Sequence, residues 1–341
     1  NITFRLAWRN LWRRKRRTWL TVGAMVFSNI LLVFMISLQI GMYGLMINNT
    51  LRAQSGHLQV QAPGYKDDHK MRQVVPDVKL LAAEIRKGLA TDEVAARASA
   101  FALVSSADRS YGLQISGVEP EFEARVSSLP GLIKDGRFLS DTSAEEIVIG
   151  RVLARNLQVE VGNELTFIGS GRDGSFAAAV VTVVGIFESG MPDMDRSFAE
   201  VPLGFFQDVF SMDAAGHAVV IMAPGLIQVG TTLARTEALL PEGADLVVHD
   251  WDALLPGLKQ AIQADFTSAW FMYGILIVLV AFSVLNTQLM SVLERTKEFG
   301  IVMSLGVTPG RLGRLVMLVT ALMGSVGLIL VVLLGWTIVL L

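Results

Sequence analysis

Three uncharged runs are spaced so unevenly along these 341 residues that they constrain the fold more than any other feature. The first lies between Arg17 and Arg52, the second between Asp265 and Glu294, and the third runs from Leu315 to Leu341. Each exceeds the roughly 20 apolar residues that cross a bilayer as a helix. At about 1.5 Å per residue, Thr18 to Leu51 would extend roughly 50 Å, well past a hydrocarbon core of about 30 Å. The excess predicts a stalk that continues beyond the membrane. Buried helices of a soluble protein are the competing reading, and run length together with a mean hydropathy of +0.49 argues against it.

Charge sets the orientation. Arg5, Arg9, Arg13, Arg14, Lys15, Arg16 and Arg17 precede the first run with no acidic residue among them, and such a cluster is retained on the cytoplasmic side. A cleavable signal peptide has a far shorter apolar core. Ile2, Leu6, Trp8, Leu11 and Trp12 interleave with the arginines, which predicts an amphipathic helix lying in the headgroup region rather than a nucleic-acid patch. Counting spans then puts residues 52–265 outside and the short segment after Glu294 back inside. Arg295, Lys297, Arg311 and Arg314 outnumber Glu294 and Glu298 there, in keeping with that side.

The expected organisation is a lead-in helix over 1–17, a first transmembrane helix and stalk over 18–51, and an outer domain over 52–265. A second transmembrane helix over 266–293, a cytoplasmic segment over 294–308 and a third transmembrane helix over 309–341 complete it. The outer block is long enough for its own core and has room for two subdomains. Alternation predicts strands at 57–61, 101–105, 112–118, 146–149, 164–168, 180–187, 198–202 and 218–223. Helical spacing marks 77–89, with Asp77 as cap, and 151–157, 204–209, 226–240 and 251–264. This is an α+β pattern with antiparallel hairpins.

Motifs of reaction chemistry are missing from the sequence. GSGRDG, at Gly169, Gly171 and Gly174, has dinucleotide-loop spacing, but strand-like residues follow where a helix is required, so a hairpin turn explains it. His57, His69, His217 and His249 lack metal-ligand spacing and read as surface or loop residues. Glu188, Asp193 and Asp195 read as a solvated loop, with a carboxylate pair or cation site as the sharper alternative. No HExxH, GxSxG or phosphate-binding GxxxxGK[ST] occurs, and with no cysteine there is neither disulfide nor thiolate site. Energy from ATP would have to arrive through a second chain.

Glu294 to Leu305, ERTKEFGIVMSL, passes from charged to apolar and predicts a short amphipathic helix along the membrane, suited to a cytoplasmic partner. Gly306 breaks it, and Thr308 and Pro309 suit the cap and first position of the next helix. Toward its outer end the first run carries Met35, Leu38, Met42, Leu45 and Met46, and the second opens with Phe266, Trp270, Phe271 and Tyr273. Flexible methionines and interfacial aromatics suit a cavity for acyl chains, though ordinary lipid-facing and packing residues have the same composition.

ERTKEFGIVMSLGVTPGRL resembles the stretch after the second span in permeases of the FtsX/MacB superfamily, through Glu294, Arg295, Glu298, Gly300, Leu305 and Gly306. LAWRNLWRRKRRTWLT is similar to that family's amphipathic lead-in, and the order of span, large outer domain and further spans matches throughout. Within the family, GHLQVQAPGY, ISGVEP, EIVIGRVLARNLQVEVGNELTF and VVGIFESGMPDMDRSFAEVPL look closest to the lipoprotein-releasing LolC/LolE type.

The resemblance implies a type VII, mechanotransmission ABC permease: an α-helical membrane protein with a large α+β extracytoplasmic domain, in the bacterial inner membrane. It implies a fourth span, expected after Leu341, and a coupling helix in which Glu294, Arg295, Glu298, Phe299 and Gly300, with Leu305 and Gly306 behind them, meet the ATPase. Implied partners are an ABC ATPase dimer, which would hold the ATP and Mg that this chain does not, a second permease copy or homologue, membrane lipids and a periplasmic lipoprotein carrier. No nucleic acid is implied. Lipoprotein or lipid extraction is the expected activity. MacB-like efflux of peptides or amphiphiles, and force transmission to an outer enzyme without transport, stand as alternatives. Thr320 occupies a place in the third span where many relatives carry Glu.

Overall fold

The computed structural model describes residues 15–340 apart from residues 108 and 242. The lead-in expected from Ile2, Leu6, Trp8, Leu11 and Trp12 lies outside the described residues. Leaving single turns aside, the helices are α1 (Lys15–Thr50), α2 (Val78–Leu89), α3 (Pro120–Val126), α4 (Arg151–Leu157), α5 (Pro192–Ser197), α6 (Leu203–Val209), α7 (Val229–Leu239), α8 (Pro256–Glu294), α9 (Thr296–Ser304) and α10 (Pro309–Leu340). The chain divides into two compact units, one of Asn1–Tyr43 with Gln260–Leu341, the other Gly44–Lys259.

Among the described residues the stretches Val26–Ala53 and Pro256–Asn286, each mostly in the first unit, are long and apolar enough to cross a membrane, and little of either is buried by the rest of the chain. A soluble core helix would be covered by the rest of its chain; the exposure of these two is consistent with a membrane setting. The residues expected as a third span make up the helix α10. The helix expected over 251–264 is instead one turn, Trp251–Leu254, followed by the start of α8. Pro256 takes an initial position of α8, where its missing N–H is no loss, and no breaker follows until Glu294.

The second unit is built on one ten-stranded sheet: β1 (Leu58–Gln61), β2 (Val94–Ser106), β3 (Arg109–Val118), β4 (Ile133–Gly136), β5 (Glu146–Gly150), β6 (Glu164–Ser170), β7 (Phe176–Phe187), β8 (Phe198–Pro202), β9 (Ala218–Ile221) and β10 (Val247–Asp250). Its order is β10-β1-β9-β2-β3-β8-β5-β7-β4, and β6 joins β2 to β7. That extra pairing closes β2, β3, β8, β5, β7 and β6 into a ring, which removes sheet edges there. The pairs β3–β8 and β5–β7 are parallel, so the sheet is mixed rather than a set of antiparallel hairpins. One continuous sheet replaces the two subdomains for which the length left room.

In the main core Phe167 stacks on Phe210 at 5.7 Å and Phe206 on Phe210 at 4.4 Å. The amphipathic helix α2 lays Val78, Leu81, Ala82 and Ile85 on the same core. Asp77, expected as its cap, makes no capping hydrogen bond and sits in the left-handed region at φ 41°. The opposite sheet face carries a smaller cluster, in which Val126 of α3 joins Ala95, Val220 and Met222. The glycines of GSGRDG form the β6–β7 hairpin turn: Gly171 N–H donates to Ser175 O at 2.9 Å and Gly174 has φ +87°.

Candidate functional site

At the end of α1 the chain tightens into one π-helical turn, Leu51–Ser55, closed by Gly56 N–H donating to Leu51 O at 2.8 Å. Gly56 then adopts φ +68° with ψ −179°, a conformation reserved in practice for glycine, and enters β1. The turn is tied down from several directions. Leu51 is fully buried, Ser128 N–H donates to Arg52 O at 2.9 Å, and the Arg52 guanidinium reaches Glu93 at 3.8 Å and Arg125 O at 3.4 Å. Gln59 Nε2 closes back on Ser55 O at 2.7 Å.

The way out mirrors the way in. β10 pairs antiparallel with β1, from Leu58 opposite Asp250 to Gln61 opposite Val247. Asp250 Oδ1 then accepts from Ala253 N at 3.0 Å, and Lys259 pairs with Asp252 just inside α8. The two strands through which the chain enters and leaves the sheet are therefore hydrogen-bonded neighbours.

Beside this junction the sheet carries buried polar groups. Arg97 pairs with Glu123 of α3 through two oxygens, and the buried Glu200 lies on β8 nearby. Burial, then the neighbouring Glu123 charge, pushes the Glu200 carboxyl well above the usual range, and Arg97 only partly offsets this. His57 and His217 are buried rather than superficial as expected: His57 Nδ1 accepts from Ala223 N at 3.0 Å and His217 Nδ1 from Ser99 N at 2.9 Å. Burial lowers His217 to about 4, and burial with the Arg52 charge lowers His57. A polar cavity of about 230 Å³ opens here between Gln59, Gln61, Ser99 and Tyr65, whose ring stacks on His217 at 4.9 Å.

Asp195 also departs from its expected solvated setting. It is buried and accepts from Ser189 N at 2.9 Å and Ser189 Oγ at 2.6 Å, locking the loop before α5. Asp193 pairs with Arg196, and Glu188 with Arg151 at 2.8 Å. Among the described residues no three side chains converge as metal ligands.

In the helical unit, Met35, Leu38, Met42, Phe266, Trp270 and Phe271 are exposed apolar residues on α1 and α8, as are Leu45 and Met46 on the stretch of α1 belonging to the second unit. Tyr273 is different: it is buried, and its hydroxyl donates to Gln39 Oε1. Gln39 Nε2 donates to Tyr43 Oη at 2.7 Å, Tyr43 Oη donates to Asp265 Oδ2, and the Tyr43 and Phe266 rings lie 5.1 Å apart. Gln39, Tyr43 and Asp265 escaped notice in the sequence. A glutamine and a tyrosine at i, i+4 within an uncharged run were the available signal.

The expected cytoplasmic segment forms α9. Glu294 ends α8, and Arg295 packs over the Phe299 ring at 5.6 Å while its Nε donates to Glu298 Oε2 at 3.0 Å. Glu298 lies in the first turn, where a carboxylate is favoured by the helix dipole. Gly300 has open space around its Cα, and Ile301, Met303 and Leu305 present exposed apolar side chains. Gly306 turns the chain at φ +89°, and Arg311 N–H donates to Thr308 O at 3.0 Å at the start of α10. Thr320 Oγ bonds back to Val316 O at 3.1 Å within α10.

A family model described as MacB-like periplasmic core domain matches residues 18–239, and one described as FtsX-like permease C-terminal matches residues 270–341. The lipoprotein-releasing system transmembrane protein LolC of Neisseria meningitidis serogroup B is 27% identical over 269 residues, covering 75% of this chain and 63% of that protein. LolC of Xylella fastidiosa strain 9a5c is 27% identical over 226 residues, covering 64% of this chain and 54% of that protein. The chain thus spans less than two thirds of the length of these relatives. Among solved structures, the extracellular domain of the noncanonic ABC-type transporter YknZ from Gram-positive bacteria is 15% identical, with a TM-score of 0.43 over 57% of this chain and 99% of that one. The periplasmic region of MacB from Actinobacillus actinomycetemcomitans is 14% identical, with a TM-score of 0.41 over 60% and 92%.

Proposed function

The chain belongs to the family of ABC transporter permeases with a MacB-like periplasmic core domain and an FtsX-like C-terminal segment, and from that premise we propose that it extracts lipoproteins or lipids from the outer leaflet of the bacterial inner membrane. The observation that carries this reading is the paired entry and exit of the outer domain: β1 and β10 are neighbours, and each leads into a helix long and apolar enough to span a membrane. A movement of the two helices would be delivered to adjacent strands of one sheet. The buried π turn and its ties from Ser128, Glu93 and Arg125 give the first of these joints little freedom.

In this reading ATP is hydrolysed by a partner ATPase dimer, which also holds the Mg. Glu294, Arg295, Glu298, Phe299 and Gly300 meet that partner, with Leu305 and Gly306 completing the surface. A second permease copy or homologue completes the membrane part, and a periplasmic lipoprotein carrier receives the cargo. The Met35, Leu38, Met42, Leu45 and Met46 stripe, with Phe266, Trp270 and Phe271, is the surface offered to acyl chains. The 27% identity to proteins named for lipoprotein release supports this cargo over efflux of peptides or force transmission alone.

The test is to purify the chain with its co-expressed ATPase in lipid nanodiscs and identify copurifying molecules by mass spectrometry, wild type against Met42→Asp. A charge placed in this apolar stripe disfavours acyl contact. Acylated proteins present in the wild type and reduced at least roughly tenfold in the variant are expected, since burying an unpaired carboxylate costs several kcal/mol. Absence of acylated molecules from both samples, with ATP hydrolysis intact, would move the assignment to efflux or force transmission.

A further inference from the structure

The two long helices of the first unit are joined near Tyr43 and Asp265 by a directed chain of hydrogen bonds. Tyr273 donates to Gln39, Gln39 donates to Tyr43 at 2.7 Å, and Tyr43 donates to the Asp265 carboxylate. Gln39 and Tyr43 stand at i, i+4 on one face of α1; Asp265, Ala269 and Tyr273 stand at i, i+4, i+8 on one face of α8. Ala269 and Tyr273 are buried. The Phe266 ring against Tyr43 seals one side.

Polar groups in a membrane-length helix are costly unless paired, so their presence calls for a purpose. Each link of this chain strengthens the next, because a hydroxyl that donates to a carboxylate becomes a better acceptor. The order of donors is also geometrically demanding. Sliding either helix by one residue, about 1.5 Å, breaks the bridge at both Asp265 and Gln39.

We propose that Gln39, Tyr43, Asp265 and Tyr273 form a clasp that fixes the spacing and axial register of α1 and α8, so that the two helices turn and slide as a single lever. The four are positioning residues: they act through the helix pair and touch no cargo. The proposal rests on the reading that this pair spans a membrane, and it is independent of what is transported.

The chain has no cysteine, so Ile40→Cys with Met272→Cys, labelled before the ATPase is added, accepts two spin labels with no background from this chain. Both positions are exposed and lie beside the clasp. The full chain, with its ATPase in nanodiscs and diluted with unlabelled protein, is then measured by pulsed electron–electron double resonance. The clasped pair gives one narrow distance distribution. Tyr43→Phe, Asp265→Leu and the milder Gln39→Leu each broaden it to roughly twice its width or more, because interhelical hydrogen bonds that hold register are lost. Asp265→Glu, which keeps the carboxylate, restores part of the narrowness.

Distributions unchanged in Tyr43→Phe and Gln39→Leu overturn the clasp even where Asp265→Leu fails to fold. No cargo is needed for the measurement, so broadening in a protein that copurifies no acylated molecule upholds the clasp while the cargo assignment falls. Loss of cargo with unchanged distances does the reverse.

Discussion

His217 illustrates how a single side chain can make this domain sensitive to acid. Its Nδ1 accepts a backbone N–H while Nε2 faces the Met71 carbonyl at 3.4 Å, an arrangement that requires the neutral ring. Burial holds it at about 4, against an unfolded value near 6.5. Between those values the unfolded chain binds the extra proton, so stability is complete above about pH 6.5 and falls as pH drops toward 4. The loss reaches about 3 kcal/mol. His57 has the same sign. Glu200 has the opposite one: its raised folded value means that its stabilisation is lost as pH rises above the unfolded value near 4.3. Glu200→Gln should therefore stabilise the protein at pH 7.5, with a smaller gain at pH 4.5. Pulse proteolysis in urea across pH 4 to 8 measures both; a flat wild-type profile, or a destabilised Glu200→Gln at pH 7.5, refutes the assignment. These roles were hidden in the sequence, because a histidine or glutamate is buried only by what the sheet brings around it.

Among elements, the stalk–sheet joint depends most on one backbone conformation. A Cβ at Gly56 would stand 2.4 Å from Val220 Cγ1 and 3.3 Å from Ile221 O, at a φ that L side chains rarely adopt. Gly56→Ala is expected to cost about 3 kcal/mol in the denaturant stability of the outer domain, through strain and overpacking together. Gly131→Ala, where a Cβ meets nothing within 4 Å, serves as the control and should stay within about 0.5 kcal/mol. The periodic helices α2, α4 and α6 and the apolar strands β5, β6, β8 and β9 were legible from pattern alone. The N-terminal half of β2 was not: Val94 to Ala100 is mostly alanine, a poor strand former, and becomes a strand because β9 and β3 pair with it on both sides. β4 and β10 are four-residue strands whose pairing partners, not their composition, define them.

At the scale of the whole molecule, the proposed function requires that work be received at one segment and used in another. Under that proposal Phe299, which packs beneath Arg295 on α9, would anchor in a partner's groove. Phe299→Ala is expected to weaken capture of the co-expressed ATPase at least roughly tenfold, as loss of a buried aromatic anchor does. The urea midpoint of the outer domain should not move. Undiminished capture of the ATPase would remove α9 from the coupling role.

The membrane reading, the expected cytoplasmic and outer sides and an α+β outer block of about two hundred residues all came from the sequence by itself. These follow from run length and charge placement, which are properties of contiguous residues and a solvent. Tertiary structure alone decided that the outer sheet is a single mixed one closed through β6, that β1 and β10 lie side by side, and that Gln39, Tyr43, Asp265 and Tyr273 meet. Such contacts join residues far apart in the chain. Their partners are selected by packing, register and hydrogen-bond geometry, none of which is written in local spacing.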